Sequence, residues 1–99
     1  MPAYVIANVT VHDPEGYKAY TAQTPKSIAD AGGRFIARGG EVEVLEGDWS
    51  PDRLVIVEFP SLEAARAWYT SPEYDEIKAI RLAHADSQLV LVDAGVLPS

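Results

Sequence analysis

Residues 53–77 read RLVIVEFPSLEAARAWYTSPEYDEI, and this stretch decides the fold. Its first seven residues are rich in Val, Ile and Phe, which is typical of a β-strand, and the proline that follows ends the strand. Ser61 and Ser71 are each followed within two residues by a glutamate, a pattern that favours the first turn of a helix. The pattern predicts two helices, which run to about Tyr69 and Ala83. A strand followed by a helical segment in two pieces is therefore expected.

The segment before this stretch predicts a strand and a long helix. Residues 3–11, AYVIANVTV, have the β-branched and aromatic composition of a strand. Asp13 followed by Pro14 predicts the start of a helix that ends at Gly32, since aspartate caps helices and proline suits their first turn. Pro25 interrupts the apolar spacing, so a kinked or two-piece helix is expected.

The remaining strands complete a recognisable order. Residues 34–38 and 41–45 are both extended in pattern, and we expect one long strand with a bulge or sharp bend at the glycines between them. Residues 89–92, LVLV, predict the last strand. The order β-α-β-β-α-β predicts a single α+β domain over 1–99 of the ferredoxin-like class, with a four-stranded antiparallel sheet and its helices on one face.

Composition excludes several classes of protein. The 99 residues are 47% hydrophobic and include no cysteine, which argues against a disordered chain and a disulfide scaffold. A net charge of −7 argues against nucleic acid or an anionic membrane as a partner. Residues 1–10 lack the basic start of a signal peptide, and no apolar run approaches the ~20 residues of a membrane span. A cytoplasmic protein is expected.

The apolar residues are more numerous than one helical layer can cover. Three of the predicted strands, 3–11, 53–59 and 89–92, are apolar on both faces, whereas the helices cover only one. An open apolar face of that size favours aggregation in a monomer. Because a twofold dimer is the commonest way to cover such a face, the sequence predicts a homodimer through the sheet.

Nearly the whole chain resembles the DUF1330 family, a group of uncharacterised domains in the dimeric α/β-barrel superfamily. The resemblance lies in GGRFIARGGEVEVLEG (32–47), in residues 53–77 and in the following Arg81. It implies a ferredoxin-like protomer and a face-to-face sheet dimer that forms a dimeric α/β barrel, and it implies no established reaction.

Four polar residues interrupt otherwise apolar elements. Glu58 and Arg38 are expected to lie within a residue or two of each other across a hairpin, where a buried ion pair is plausible. Tyr74 and Arg81 share a helix face, about 10 Å apart. The resemblance implies that all four belong to a recurring motif, and we expect them to line one cavity between sheet and helices.

Two interpretations of these residues remain open. In the first, Glu58 and Arg38 are catalytic, Tyr74 and Arg81 bind a small anionic or carbonyl ligand, and the protein is a cofactor-independent enzyme acting on a small oxygenated or acidic metabolite. In the second, the protein is a non-catalytic dimeric binding or stress-associated module, and its Arg/Glu network is only structural.

Histidine, metal and cofactor chemistry have little support. His12 follows the first strand and is a candidate ligand-binding residue, although a surface position is the commoner role. Neither His12 nor His84 has the neighbours of a metal site, so no metal is expected. Asn8, Trp68 and His84 differ from a haem-degrading arrangement in element and spacing, and no cofactor is expected.

Overall fold

The computed structural model describes residues 1–95 and contains a four-stranded antiparallel sheet with three helices. In chain order the elements are β1 (Ala3–Val11), α1 (Pro14–Asp30), β2 (Arg34–Arg38), β3 (Arg53–Phe59), α2 (Leu62–Tyr69), α3 (Pro72–His84) and β4 (Ala85–Asp93). The predicted ferredoxin-like α+β order is confirmed. The single-domain prediction extended over 1–99, of which 96–99 lie outside the described residues.

The strands lie in the order β2-β3-β1-β4, so β1 is central. Every odd-numbered residue of β1 from Ala3 to Val9 is buried, and the even-numbered residues are more accessible. Because side chains alternate between the faces of a strand, one face of the sheet carries the core beneath the helices. The other face, which carries Tyr4 and Ile6, has no layer over it within residues 1–95.

The helix starts follow the sequence signals. Asp13, Ser61 and Ser71 each accept a backbone N–H from the residue three positions further on, at 3.0–3.2 Å. Helix α1, however, continues through Pro25 as one element, so the two-piece alternative is wrong. Tyr20, Thr24 and Ile28 are all buried on the core side. Their packing on both sides of the proline outweighs the backbone hydrogen bond that it removes.

The prediction of one long second strand that includes residues 41–45 is also wrong. Strand β2 ends at Arg38, and residues 39–52 form no strand. Gly39 adopts φ +72° and donates its N–H to the carbonyl of Leu54, which ends the ladder. Within residues 1–95, the alternating sequence EVEVL (41–45) has no neighbouring strand, because the residues that would pair with it form the turn-rich connection to β3. A strand pattern without a pairing partner does not form a strand.

Strand β2 contains a bulge that redirects its side chains. Arg34 lies opposite Glu58 and Phe35 opposite Val57, but the next paired residue is Ala37, so one extra residue is inserted on β2. A bulge shifts the alternation of a strand by one position. As a result Arg38, which lies opposite Val55, is on the same face as the core, whereas Arg34 is on the open face.

None of the helices within residues 1–95 has the length and apolar character that crossing a bilayer requires.

Candidate functional site

A cavity of about 50 Å³ lies between helix α1 and the sheet. Its floor is formed by the core-facing side chains of the strands, among them Val5, Ala7 and Val57. Its charged and hydroxyl-bearing lining residues are Tyr17, Tyr20, Thr21, Thr24, Arg38, Arg53 and Arg81. No aspartate or glutamate lines it. In a chain with 8 basic and 15 acidic residues, this cavity therefore concentrates positive charge.

The three arginines reach the cavity from three different elements. Arg38 comes from the end of β2 after the bulge, Arg53 from the start of β3, and Arg81 from helix α3. Within residues 1–95, none of the three forms an ion pair with a carboxylate. The guanidinium of Arg38 instead lies over the ring of Phe35, 4.5 Å from its centroid. The cavity is thus electropositive and has no internal counter-ion.

Arg53 is held by the close approach of the Gly39 backbone. A Cβ at position 39 would lie 2.8 Å from Nη1 of Arg53, so a larger residue there would displace the guanidinium from its present position. The positive φ of Gly39 also favours glycine. The Arg38–Gly39 dipeptide therefore supplies one arginine to the cavity and positions a second.

Arg81 is only 3% exposed and is the most buried of the three arginines. Its Nη1 donates to Oγ of Ser87, and its Cζ lies 5.9 Å from the ring centroid of Tyr20. Burial opposes the charge on Arg81, but the oxygens of Tyr74 and Tyr20 outweigh it and raise the pKa of the guanidinium. Arg81 is therefore charged at any physiological pH.

Two nitrogens in the arginine cluster have no acceptor. The Nε atoms of Arg53 and Arg81 are buried, and no acceptor within residues 1–95 reaches them. Most buried polar atoms in folded proteins are hydrogen-bonded, so each exception requires an explanation. Both exceptions belong to arginines that line the cavity.

Tyr20 and Tyr74 form a buried pair beside Arg81. Their hydroxyl oxygens are 2.6 Å apart, and Tyr74 is fully buried with its ring 4.0 Å from that of Trp68. Burial, followed by the neighbouring Tyr74, raises the pKa of Tyr20 well above its usual value. Burial likewise raises the pKa of Tyr17. The hydroxyls of Tyr17 and Tyr20 therefore stay protonated near neutral pH and act as donors rather than as bases.

The predicted Arg38–Glu58 pair is wrong. Glu58 lies on the open face, where its Oε1 accepts from Nε of Arg34 at 2.8 Å and its Oε2 accepts from the hydroxyl of Tyr4 at 3.1 Å. These bonds, the one from Arg34 first, hold the pKa of Glu58 below its usual range although partial burial opposes them. The bulge in β2 is the reason, because it turns Arg38 to the core face and leaves Arg34 opposite Glu58.

His12 lies outside the cavity. It is half exposed, and its Nε2 is 3.9 Å from Oδ1 of Asp86. The other histidine, His84, has its Nδ1 2.9 Å from Oδ2 of Asp13. Between residues 1 and 95, no cluster of three or more histidine or acidic side chains is placed to hold a metal ion.

The structure thus brings together only part of the predicted site. Arg38 and Arg81 line the cavity, and Tyr74 contacts it through Tyr20, whereas Glu58 and His12 lie elsewhere. Sequence reasoning missed Arg53 and Tyr20. Arg53 has the same parity as Val55 and Val57, which places it on the core face of β3, and this signal was available in the sequence.

Comparison with known proteins agrees with this fold. A family model described as a domain of unknown function (DUF1330) matches residues 2–95. No protein with a curated description matches the chain.

Three solved structures are similar to the chain over nearly its whole length. The first is RPA0582 from Rhodopseudomonas palustris, a protein of unknown function, with 24% identity and a TM-score of 0.76 over 96% of this chain and 83% of that one. SnoaB from Streptomyces nogalater, a cofactor-independent oxygenase, has 20% identity and a TM-score of 0.64 over 99% and 98%. Rv0793 from Mycobacterium tuberculosis has 17% identity and a TM-score of 0.58 over the full length of both chains.

Proposed function

Because the chain belongs to the DUF1330 family, whose function is unknown, we propose its function from the cavity itself: it binds a small organic anion, of the carboxylate or enolate type, through Arg38, Arg53 and Arg81. The observation that carries this proposal is the convergence of three arginines on a cavity whose lining, within residues 1–95, contains no carboxylate.

The electrostatics of the cavity support an anionic ligand. A buried guanidinium is costly unless it is paired, and an arginine with a partner of opposite charge is the usual arrangement. Here the buried Arg81 converges with the half-buried Arg53 and the exposed Arg38, and the lining within residues 1–95 has no carboxylate. The planar guanidinium suits the planar carboxylate, since its N–H groups form parallel bonds to the two oxygens. The apolar floor would contact the carbon part of the ligand.

Small carboxylates are expected to raise the melting temperature of the protein. At a free ligand concentration of 100 times the Kd, binding stabilises the folded state by about 2.7 kcal/mol. We expect this stabilisation with the sodium salts of acetate and propionate. We expect much less of it with the chloride salts of ammonium or choline at the same ionic strength. Differential scanning fluorimetry measures it. Equal melting temperatures in all salts would contradict the proposal and favour a purely structural arginine cluster.

An enzymatic role is the second candidate. The cavity would stabilise negative charge that develops on a bound substrate, and the similar fold of SnoaB, a cofactor-independent oxygenase, is consistent with such chemistry. Because the tyrosines are donors and no carboxylate or histidine lines the cavity, such a substrate must be acidic enough to ionise without a protein base. Dioxygen uptake from air-saturated buffer with an enolisable carboxylic acid tests this candidate, and a Clark electrode that detects none would exclude oxygenation of that substrate.

We also propose that the protein is a homodimer through the open face of the sheet. Val90 and Val92 of β4 are 61% and 44% exposed there, beside Ile6 and Ile56 of the inner strands. The single ionised residue that β1 and β3 place on this face is Glu58, and Arg34 neutralises it. A second copy offers the same apolar, locally neutral surface, which is what a twofold interface requires.

Val90→Lys is expected to convert a dimer into a monomer. The added charge would lie near its own copy across a twofold axis, in an interface from which water is excluded. Sedimentation at micromolar concentration measures the change. Leu82→Lys is the matched control, because Leu82 is 62% exposed on helix α3 and away from the sheet. A wild-type protein that sediments as a monomer would disprove the dimer.

A further inference from the structure

We infer that the ligand of the cavity is a small 2-oxo acid, a molecule that presents only hydrogen-bond acceptors, with its carboxylate at Arg81 and its oxo oxygen at Tyr20. This inference rests on the proposed anion-binding function and adds the chemical class of the ligand. It follows from three features: a proton of a tyrosine pair that is not used within the pair, the lack of carboxylate acceptors in the lining described for residues 1–95, and the size of the cavity.

The tyrosine pair has one O–H group that is not used in the bond between the two hydroxyls. The oxygens of Tyr20 and Tyr74 are 2.6 Å apart, so a single proton lies between them and the other hydroxyl proton needs an acceptor elsewhere. Tyr74 is fully buried, whereas Tyr20 lines the cavity. An arrangement that satisfies both hydroxyls has Tyr74 donating to Tyr20 and Tyr20 donating to an acceptor at the cavity, where the hydroxyl oxygen of Thr24 competes with a ligand.

The carboxylate would lie beside this donor. Arg81 has an open Nε, and its guanidinium carbon lies 5.9 Å from the ring centroid of Tyr20. In a 2-oxo acid the oxo and carboxylate oxygens are on neighbouring carbons, so one molecule can accept from both side chains at ordinary hydrogen-bond lengths of about 2.8 Å. Arg53, with its own open Nε, supplies a second guanidinium at the same cavity.

The lining disfavours ligands that carry donors. Its polar groups are arginines, which only donate, and hydroxyls; the hydroxyl of Thr24 already donates to the carbonyl of Tyr20. The proton of a 2-hydroxy acid would have no carboxylate to accept it, and the ammonium of an amino acid would face three positive charges. Hydroxyl oxygens are the side-chain acceptors in the lining, and they are weaker acceptors than a carboxylate, so a 2-oxo acid is preferred over both.

The size of the cavity limits the ligand to a few carbons. A volume of 50 Å³ is about four times the ~10–15 Å³ that one water occupies on this measure. An acid of two to four carbons is of that order, whereas an aromatic acid or a nucleotide is far larger.

A series of three-carbon acids tests the inference on the unmodified protein. Isothermal titration calorimetry at constant ionic strength should show pyruvate binding about threefold to tenfold more tightly than propionate, which lacks the oxo acceptor. Lactate should bind at least about fivefold more weakly than pyruvate, and alanine more weakly still. These molecules differ little in size, so the order reports the hydrogen-bond chemistry.

Two matched variants test whether the Tyr20 hydroxyl causes the preference for pyruvate over propionate. Tyr20→Phe should bind pyruvate and propionate equally, because the donor to the oxo group is gone. Tyr74→Phe removes a hydroxyl from the same pair but leaves the Tyr20 proton free, so it should keep the preference for pyruvate. Circular dichroism shows whether each variant is folded. If one variant does not fold, the ligand series on the wild-type protein still tests the 2-oxo acid inference.

The outcomes separate this inference from the proposed function. If propionate and lactate bind as tightly as pyruvate, the protein is an anion binder and the 2-oxo specificity is wrong. If none of the carboxylates binds, the anion-binding proposal itself is wrong. A preference for pyruvate that persists in Tyr20→Phe would disprove the role of Tyr20.

Discussion

Replacing Arg81 by methionine is expected to weaken the binding of small carboxylates by at least about 30-fold while leaving the protein as stable as before, or more stable. Removing one partner of a buried, hydrogen-bonded charge pair typically costs 2–5 kcal/mol of binding energy. In the protein without ligand, however, the Arg81 guanidinium is 3% exposed and has an open Nε, so its burial costs free energy. Methionine fills the same volume without that cost.

Thermal melts and calorimetry on the same samples separate the two effects. Arg66→Met is the matched control, because Arg66 is an exposed arginine on helix α2 and does not line the cavity. It should change neither carboxylate affinity nor stability beyond about 0.5 kcal/mol. A large loss of stability in Arg81→Met, with no carboxylate effect in the wild-type protein, would show that Arg81 only ties helix α3 to Ser87 of β4.

Trp68→Ala is expected to have the largest effect on stability, a loss of about 3–5 kcal/mol. Trp68 is 5% exposed, and its ring lies 4.0 Å from that of Tyr74 and 5.3 Å from that of Phe59. Its Nε1 donates to Oγ of Ser27 on helix α1, so the truncation also removes one of the two hydrogen bonds of that hydroxyl, which keeps its bond to the carbonyl of Thr24. Since domains of this size are stable by about 5–15 kcal/mol, the variant would retain little of that margin.

Tyr69→Ala provides the comparison on the adjacent residue of the same helix. Tyr69 is 37% exposed, and its ring lies beside that of Trp68 at 6.2 Å between centroids. Its truncation should therefore cost less than half as much free energy of unfolding as that of Trp68. Urea unfolding at one fixed protein concentration measures both losses, since the proposed dimer would make stability depend on concentration. Equal losses would mean that Trp68 is not the centre of the core.

Most of the fold was accessible from local sequence signals. Asp13, Ser61 and Ser71 cap the helices as their sequence pattern predicts, because a cap depends only on a side chain and the backbone three residues away. The two errors, at Pro25 and at residues 41–45, have a common origin. Whether a helix continues through a proline depends on the packing of its buried face, and whether an alternating segment becomes a strand depends on a neighbouring strand.

The candidate site was only half predictable. Arg38 and Arg81 were identified and both line the cavity, whereas Glu58 was assigned to the wrong face. A one-residue bulge separated the predicted pair, because it turns Arg38 to the core face while Arg34 stays opposite Glu58 on the open face. Nothing in RFIAR marks the position of that extra residue, since the bulge is defined only by the pairing with β3.

The sequence by itself determined the order of elements, the excess of apolar residues on the strands, and the presence of unusual charges in apolar surroundings. These properties follow from the residue type and its spacing along the chain. Only the tertiary structure decided which charges share a cavity: Arg53 beside Gly39, Arg81 beside Tyr20, and Glu58 on the opposite face with Arg34. The physical reason is that a binding site is set by register and close approach between distant segments, and a shift of one residue in register changes the face on which a side chain lies.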